Sequence, residues 1–127
     1  MGRTTVTFYQ EAPGDVPVLD WLKALRKQDT QAWANCSTRI EQLAEHGNDL
    51  RRPAADYLDD GIYELRARHG NVQYRILYFF QGRGVAILGH SFVKSGSAVN
   101  PNDLAVARRR KGRFLEDPEK RSYQGDG

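Results

Sequence analysis

The chain has 127 residues, 39% of them hydrophobic and 28% charged, with a net charge of +3. That is enough for one domain whose core needs no disulfide or metal, and it excludes a disordered chain. No apolar run approaches the ~18 residues of a membrane span, Gly2 to Gln10 lacks a secretory signal, and Cys36 is the only cysteine, so a reducing cytoplasm is the expected compartment.

In chain order, Thr4 to Tyr9 alternates and is rich in Thr, Val and aromatics, which predicts a first strand. Gly14 and Asp15 open a helix that tolerates Pro17 in its first turn and sets Val18, Trp21, Leu22 and Leu25 on one side. Asp29 caps a second helix with a stripe of Trp33, Cys36, Ile40, Leu43 and Ala44, and Gly47 stops it. The two predict a helical hairpin whose tryptophans pack on a sheet; Cys36 in that stripe reads as core rather than nucleophile. Three strands follow, at residues 61–68, 72–80 and 85–94, then a loop of small polar residues at 95–100. Asn100 caps a last helix with Pro101 at its first position, Asp103 near its N-terminus, and Leu104, Ala107, Phe114 and Leu115 on its apolar side. Residues 1–116 read as a single domain and 117–127 as a polar, frayed tail. The expected class is α+β: an N-terminal strand and helical hairpin packed on an antiparallel sheet, with a C-terminal helix.

Charge is distributed unevenly. Residues 1–56 carry seven basic and eight acidic side chains, residues 57–127 twelve and eight. The C-terminal half is therefore the one expected to meet an anionic polymer or an acidic partner.

Strand pairing sharpens this. Gly70-Asn71 suits a two-residue hairpin turn because both residues accept positive φ. That turn sets Arg66 opposite Arg75 and Glu64 opposite Leu77. With Gly82-Arg83 as the next turn, Arg75 faces His90, and one row across the sheet reads Arg66, Arg75, His90. Alternation then gives an apolar face of Tyr63, Leu65, Ala67, Tyr74, Ile76, Tyr78, Phe80, Val85, Ile87 and Val93, expected against the helices. The opposite face carries Glu64, Arg66, Arg68, Gln73, Arg75, His90 and Lys94, with Leu77, Leu88 and Phe92 among them.

Like charges directly opposite repel by roughly 0.2–1 kcal/mol per pair, whereas a bound phosphate turns that repulsion into charge-assisted hydrogen bonds. The plainer alternative is that Glu64 bridges the arginines and the face is merely solvated. Cleaving an RNA phosphodiester needs a base for the 2′-OH, an acid for the 5′-oxygen and cations for the developing charge. Arg66 and Arg75 suit the last task, and His90, which switches protonation near neutral pH, suits acid or base. Lys94 or Glu64 can supply the complementary group. Nothing resembles a P-loop, a nucleophile elbow or a carboxylate metal site, so metal-independent, cofactor-free chemistry is expected. His46 reads as a helix C-terminal histidine and His69 as a turn residue. The run Arg108, Arg109, Arg110 and Lys111, with Arg113, circles its helix, either as a solvated surface or as a grip on nucleic-acid backbone or an acidic partner.

The elements Gly61-Ile62-Tyr63-Glu64-Leu65-Arg66, Tyr74-Arg75-Ile76-Leu77-Tyr78 and Leu88-Gly89-His90-Ser91-Phe92-Val93-Lys94, followed by Pro101 before an Ala/Arg-rich helix, resemble the phage-derived Gp49-like, HigB-type toxins of the RelE/ParE toxin–antitoxin superfamily. The resemblance spans residues 19–115. It implies a RelE-like fold of two helices over an antiparallel sheet. It also implies an mRNA interferase: ribosome-dependent cleavage of mRNA that stops translation and growth, neutralised by a small antitoxin, commonly a helix-turn-helix protein. The implied partners are that antitoxin, the ribosome and mRNA, with no membrane. Residue by residue, Arg66 and Arg75 match the family's basic sheet positions and Lys94 the lysine after the phenylalanine. Combined with the register, the expected site has Arg66, Arg75, His90 and Lys94 as catalytic groups, Glu64 orienting them, and Arg68, Arg108, Arg109, Arg110 and Lys111 on phosphates. The chain departs from the pattern at Ser95, where a second lysine is usual, and in the loop to Pro101, longer by about one residue; both bear on RNA affinity. Two alternatives use the same fold: a ParE-like DNA gyrase inhibitor that binds rather than cleaves, and a non-catalytic relative that binds antitoxin or nucleic acid.

Overall fold

The computed structural model describes residues 3–123. Along the chain run β1 (Thr5–Phe8), α1 (Pro17–Gln28), α2 (Thr30–His46), a 3-10 turn (Gly47–Asp49), β2 (Ala55–Asp59), β3 (Ile62–His69), β4 (Val72–Gln81), β5 (Val85–Lys94), α3 (Pro101–Glu116) and α4 (Pro118–Arg121). The five strands form one sheet in the order β1-β5-β4-β3-β2. This is an α+β fold of the RelE-like kind, and its sheet is mixed rather than wholly antiparallel, because β1 lies parallel to β5. Strand β2 went unforeseen. Its sequence, Ala-Asp-Tyr-Leu-Asp, is poor in β-branched residues, and pairing along β3 holds it extended rather than propensity.

Helices α2 and α3 begin where their caps predict, whereas α1 starts at Pro17 behind Val16 with no side-chain cap. Asp29 accepts the Ala32 N–H at 3.0 Å and Asn100 the Asn102 N–H at 2.7 Å, contacts worth about 1 kcal/mol each. The α1–α2 hairpin covers one face of the sheet, burying Val18, Leu22, Leu25, Cys36 and Leu43 against Leu65, Tyr74, Ile76, Tyr78 and Leu88. Trp21 meets the Tyr74 ring edge-on at 6.1 Å, and Trp33 packs at the rim of the same core. On the opposite face α3 seats Phe114 with Tyr9, Phe79 and Ile87, and Ala107 with Ile62 and Leu77.

Between β3 and β4 the register is the expected one, with Arg66 opposite Arg75 and Glu64 opposite Leu77. Between β4 and β5 it is not. Gln81 pairs with Val85, so the turn holds three residues, Gly82, Arg83 and Gly84, rather than two. The extra residue flips the start of β5: Ala86 and Leu88 face the hairpin, and Val85 and Ile87 face α3, the reverse of the expectation. A bulge then restores the original sense, because Tyr78 pairs with Leu88 but Leu77 with His90, leaving Gly89 as the additional residue. Glycine suits that place; a Cβ there would sit 3.3 Å from the Phe79 ring. His90, Phe92 and Lys94 thus return to the basic face, advanced by two residues along it. Phe92, not His90, stands opposite Arg75.

Residues 117–123 are not frayed. Tyr123 donates its N–H to the Phe8 carbonyl at 2.9 Å, Gln10 donates to Arg121 at 2.7 Å, and the Tyr123 ring meets Phe8 edge-on. Residues 124–127 of the expected tail lie outside the described ones. No helix among the described residues is long and apolar enough to cross a membrane.

Candidate functional site

Helix α3 covers the half of its sheet face around Ile62, Leu77, Phe79 and Ile87. From the row at the border of α3, Glu64, Leu77 and His90, the other half runs toward the β3–β4 turn with the rows Arg66, Arg75 and Phe92, then Arg68, Gln73 and Lys94.

The centre of this half is an ion cluster. Arg75 is only 2% exposed and Glu64 only 4%. Glu64 Oε1 lies 3.2 Å from Arg75 Nε, and Glu64 Oε2 lies 3.4 Å from Arg66 Nη1. Glu64 therefore bridges the two facing arginines, the alternative set against the phosphate reading above, and it offsets their repulsion. Its bond to Arg75 is poorly aligned, since both atoms are buried without a well-formed hydrogen bond. Arg75 is otherwise held by its own strand, through the Tyr74 carbonyl at 3.1 Å and Gln73 Oε1 at 2.7 Å. Burial lowers the Arg75 pKa, Glu64 opposes that, and the guanidinium stays charged. Arg66 is the accessible member of the pair, its side chain 28% exposed.

His90 sits one row away, a diagonal neighbour of Arg75, which places the two within reach of one ligand. Its Nε2 is 2.7 Å from Asp103 Oδ1 in the first turn of α3, and its ring stacks on Phe92 at 5.5 Å. Asp103 was foreseen as a helix-end acid, not as the partner that orients His90. Lys94 lies at the far side, its Nζ donating to the Gly96 carbonyl at 2.8 Å. Four residues apart on one strand, His90 and Lys94 have Cα atoms about 13 Å apart, too far to flank a single phosphodiester as a base–acid pair without rearrangement.

The basic helix behaves differently from the expectation of a free cationic surface. Arg108 pairs with Asp59 at 2.6 Å, Lys111 donates to the Asp60 carbonyl, and Arg113 pairs with Glu11 at 3.0 Å. Arg110 is largely buried: it donates to the Gly89 carbonyl at 2.8 Å, approaches Glu11, and lies over the Tyr9 ring. Desolvation lowers its pKa. These four cations fasten α3 to the β2–β3 turn, to the bulge and to the segment after β1. Arg109 alone of the run is exposed with no hydrogen bond or ion pair among the described residues.

The remaining predicted positions divide. Arg68 is exposed at the basic end, donating to the Gly70 carbonyl at 3.1 Å. His69 is more than a turn residue, for its Nδ1 lies 3.0 Å from Asp29, whose pKa is lowered first by the Ala32 N–H and then by that histidine. Cys36 is core, its thiol pushed by burial up to about 11. One residue was missed: Arg39 on α2 reaches the same end, where it joins Arg66, Arg68 and Arg75 around a cleft of about 240 Å³. Its only local mark is the i,i+4 spacing from Asn35, and Gln31, Thr38, Gln42 and Glu45 make polar steps on the same helix.

The family model for phage derived protein Gp49-like matches residues 20–112, from α1 to the last turns of α3. No curated protein matches the chain.

Proposed function

We propose, since the chain belongs to the phage-derived Gp49-like family, a toxin–antitoxin-related family, that it is the toxin of a type II system and cuts mRNA on the ribosome as HigB- and RelE-type toxins do. The observation that supports this best is the facing pair Arg66 and Arg75 on the half of the sheet that α3 leaves open. In this reading the two guanidiniums take the charge that grows on the phosphate as the 2′-oxygen attacks phosphorus and the 5′-oxygen leaves. Glu64 holds them aligned. His90, with Nε2 held by Asp103, accepts the 2′-hydroxyl proton at Nδ1, and the 5′-oxygen takes its proton from solvent. Lys94 and Arg68 contact flanking phosphates, and Arg109 adds a backbone contact from α3. A small antitoxin from the same operon and the ribosome are the proposed partners, in the cytoplasm.

The test is a translating extract programmed with a reporter mRNA. Wild-type protein produces new mRNA 5′ ends in the extract and few on naked RNA; Arg66→Gln, at a half-exposed position, stays folded and produces none. Intact mRNA alongside altered DNA supercoiling would move the assignment to gyrase inhibition.

A further inference from the structure

The open half of the sheet ends at a strand edge that no strand among the described residues covers. β2 stops pairing at Ala55 opposite Leu65, with one more bond from the Arg66 N–H to the Ala54 carbonyl. Beyond it the carbonyls of Arg66 and Arg68 turn to α2, where they accept Arg39 Nε at 2.8 Å and Asn35 Nδ2 at 2.9 Å. Arg39 also donates through Nη1 to Gln42 at 3.0 Å. Its guanidinium is thus fixed at two points, and Nη2 has no partner among the described residues. It borders the cleft of about 240 Å³ that Arg66, Arg68 and Arg75 also line, with Pro53 and Gln73. No carboxylate among the described residues lines this cleft. A second hollow of about 260 Å³ continues from it past Arg39 and Arg68 to Asn35 and Thr38.

The contrast with α3 is informative. There, Arg108 and Arg113 are each matched by a carboxylate, Asp59 and Glu11. Around the cleft four guanidiniums converge, and of the carboxylates near them Glu64 is buried and Asp56 pairs with Arg52 at 2.7 Å; neither lines it. Planar forks already pinned in position lose little freedom on gripping a tetrahedral anion.

We infer that the α2–β3 edge is a second phosphate subsite, formed by Arg39 and Arg68, through which a single RNA strand leaves the sheet face and runs along α2. This rests on the RNA-binding reading of the sheet face. A single strand is favoured over an acidic peptide because the two hollows are contiguous with Arg66 and Arg75, and a groove of cations and small polar groups tracks a repeating backbone.

Binding of a labelled single-stranded RNA oligonucleotide, followed by anisotropy from low to moderate salt, tests this without any need for cleavage. Arg39→Gln and Arg68→Gln should each weaken binding about three- to tenfold at low salt and make the log–log salt slope shallower by about 0.7, the value of one lost contact on a single strand. Arg68 also contacts a flanking phosphate in the sheet-face reading, so the α2 side decides the matter: Thr38→Glu, which sets a carboxylate at an exposed position of the second hollow, should weaken binding too, even where Arg39→Gln, which also strips a carbonyl of its donor, loses stability. Wild-type slopes in both variants, with Arg66→Gln still impaired, would overturn the edge subsite and leave the sheet-face site standing. Absence of RNA binding by the wild type at low salt would also overturn it, whereas the nuclease reading is decided by the extract assay. Displacement by polyglutamate, with the RNA slope unchanged in both variants, would assign the cleft to an acidic protein and likewise overturn it.

Discussion

Deleting the Arg75 side chain tests how the site is built. Two exposed arginines face to face would tolerate the loss of one, and repulsion of a fraction of a kcal/mol would even be relieved. Burial reverses that expectation. Arg75 and Glu64 are both almost wholly withdrawn from water, 3.2 Å apart. At an effective dielectric of about 20 their gross attraction is about 5 kcal/mol, comparable with the several kcal/mol lost in desolvating each ion, so the intact pair contributes little net stability. Arg75→Ala removes the attraction and leaves Glu64 buried and uncompensated except for Arg66 at 3.4 Å, at a cost of about 3–5 kcal/mol. With a urea m-value of about 2 kcal/mol/M, the midpoint falls by about 2 M. Glu64→Gln combined with Arg75→Ala removes both charges, and the double variant should be about 2–3 kcal/mol more stable than the sum of the two single losses, the coupling energy of a double-mutant cycle. Urea unfolding followed by far-UV circular dichroism measures all four corners. An Arg75→Ala midpoint within a few tenths of a molar of wild type, or strictly additive losses in the double variant, would show that Glu64 is not the structural counter-ion.

The Asp103–His90 contact predicts a division of labour: His90→Ala lowers the rate of mRNA cleavage in the extract by about 10²- to 10⁴-fold, and Asp103→Ala lowers it by less while its circular dichroism stays native. Normal cleavage by His90→Ala would remove the histidine from the chemistry. Cys36 should resist alkylation in the folded protein at pH 8 and react once unfolded. Because burial raises its thiol from 9.0 to about 11, the unfolded chain ionises first, and the stability this residue contributes, complete below about 9, is lost as pH rises toward 11. Cys36→Ala should flatten that limb of the urea midpoint against pH; an unchanged limb would assign it to other groups.

Local signals in the sequence were sufficient for much of this molecule. Asp29 and Asn100 announced their helices, the 3.6-residue stripe of Trp33, Cys36, Ile40 and Leu43 marked the buried side of α2, and Gly70 set the β3–β4 register that opposes Arg66 and Arg75. All of these act over a few residues, where periodicity and turn stereochemistry decide the outcome. The next turn shows the limit. Gly82-Arg83-Gly84 accommodates two or three residues, and the one-residue difference exchanged the faces of Val85 to Leu88 until the Gly89 bulge exchanged them back. Tertiary packing makes that choice, because Leu88 fills the hairpin core and Ile87 the pocket beside Phe114. Charge shows the same limit more sharply. The cations of α3 read as a free surface until the fold brought Asp59, Asp60 and Glu11 to them from distant parts of the chain. Nothing in the sequence singled out Arg39; the early end of β2 leaves the Arg66 carbonyl to it and the Arg68 carbonyl to Asn35. A side chain's type is written in the sequence, but whether its charge is spent on the protein or left for a ligand depends on partners that only long-range packing supplies.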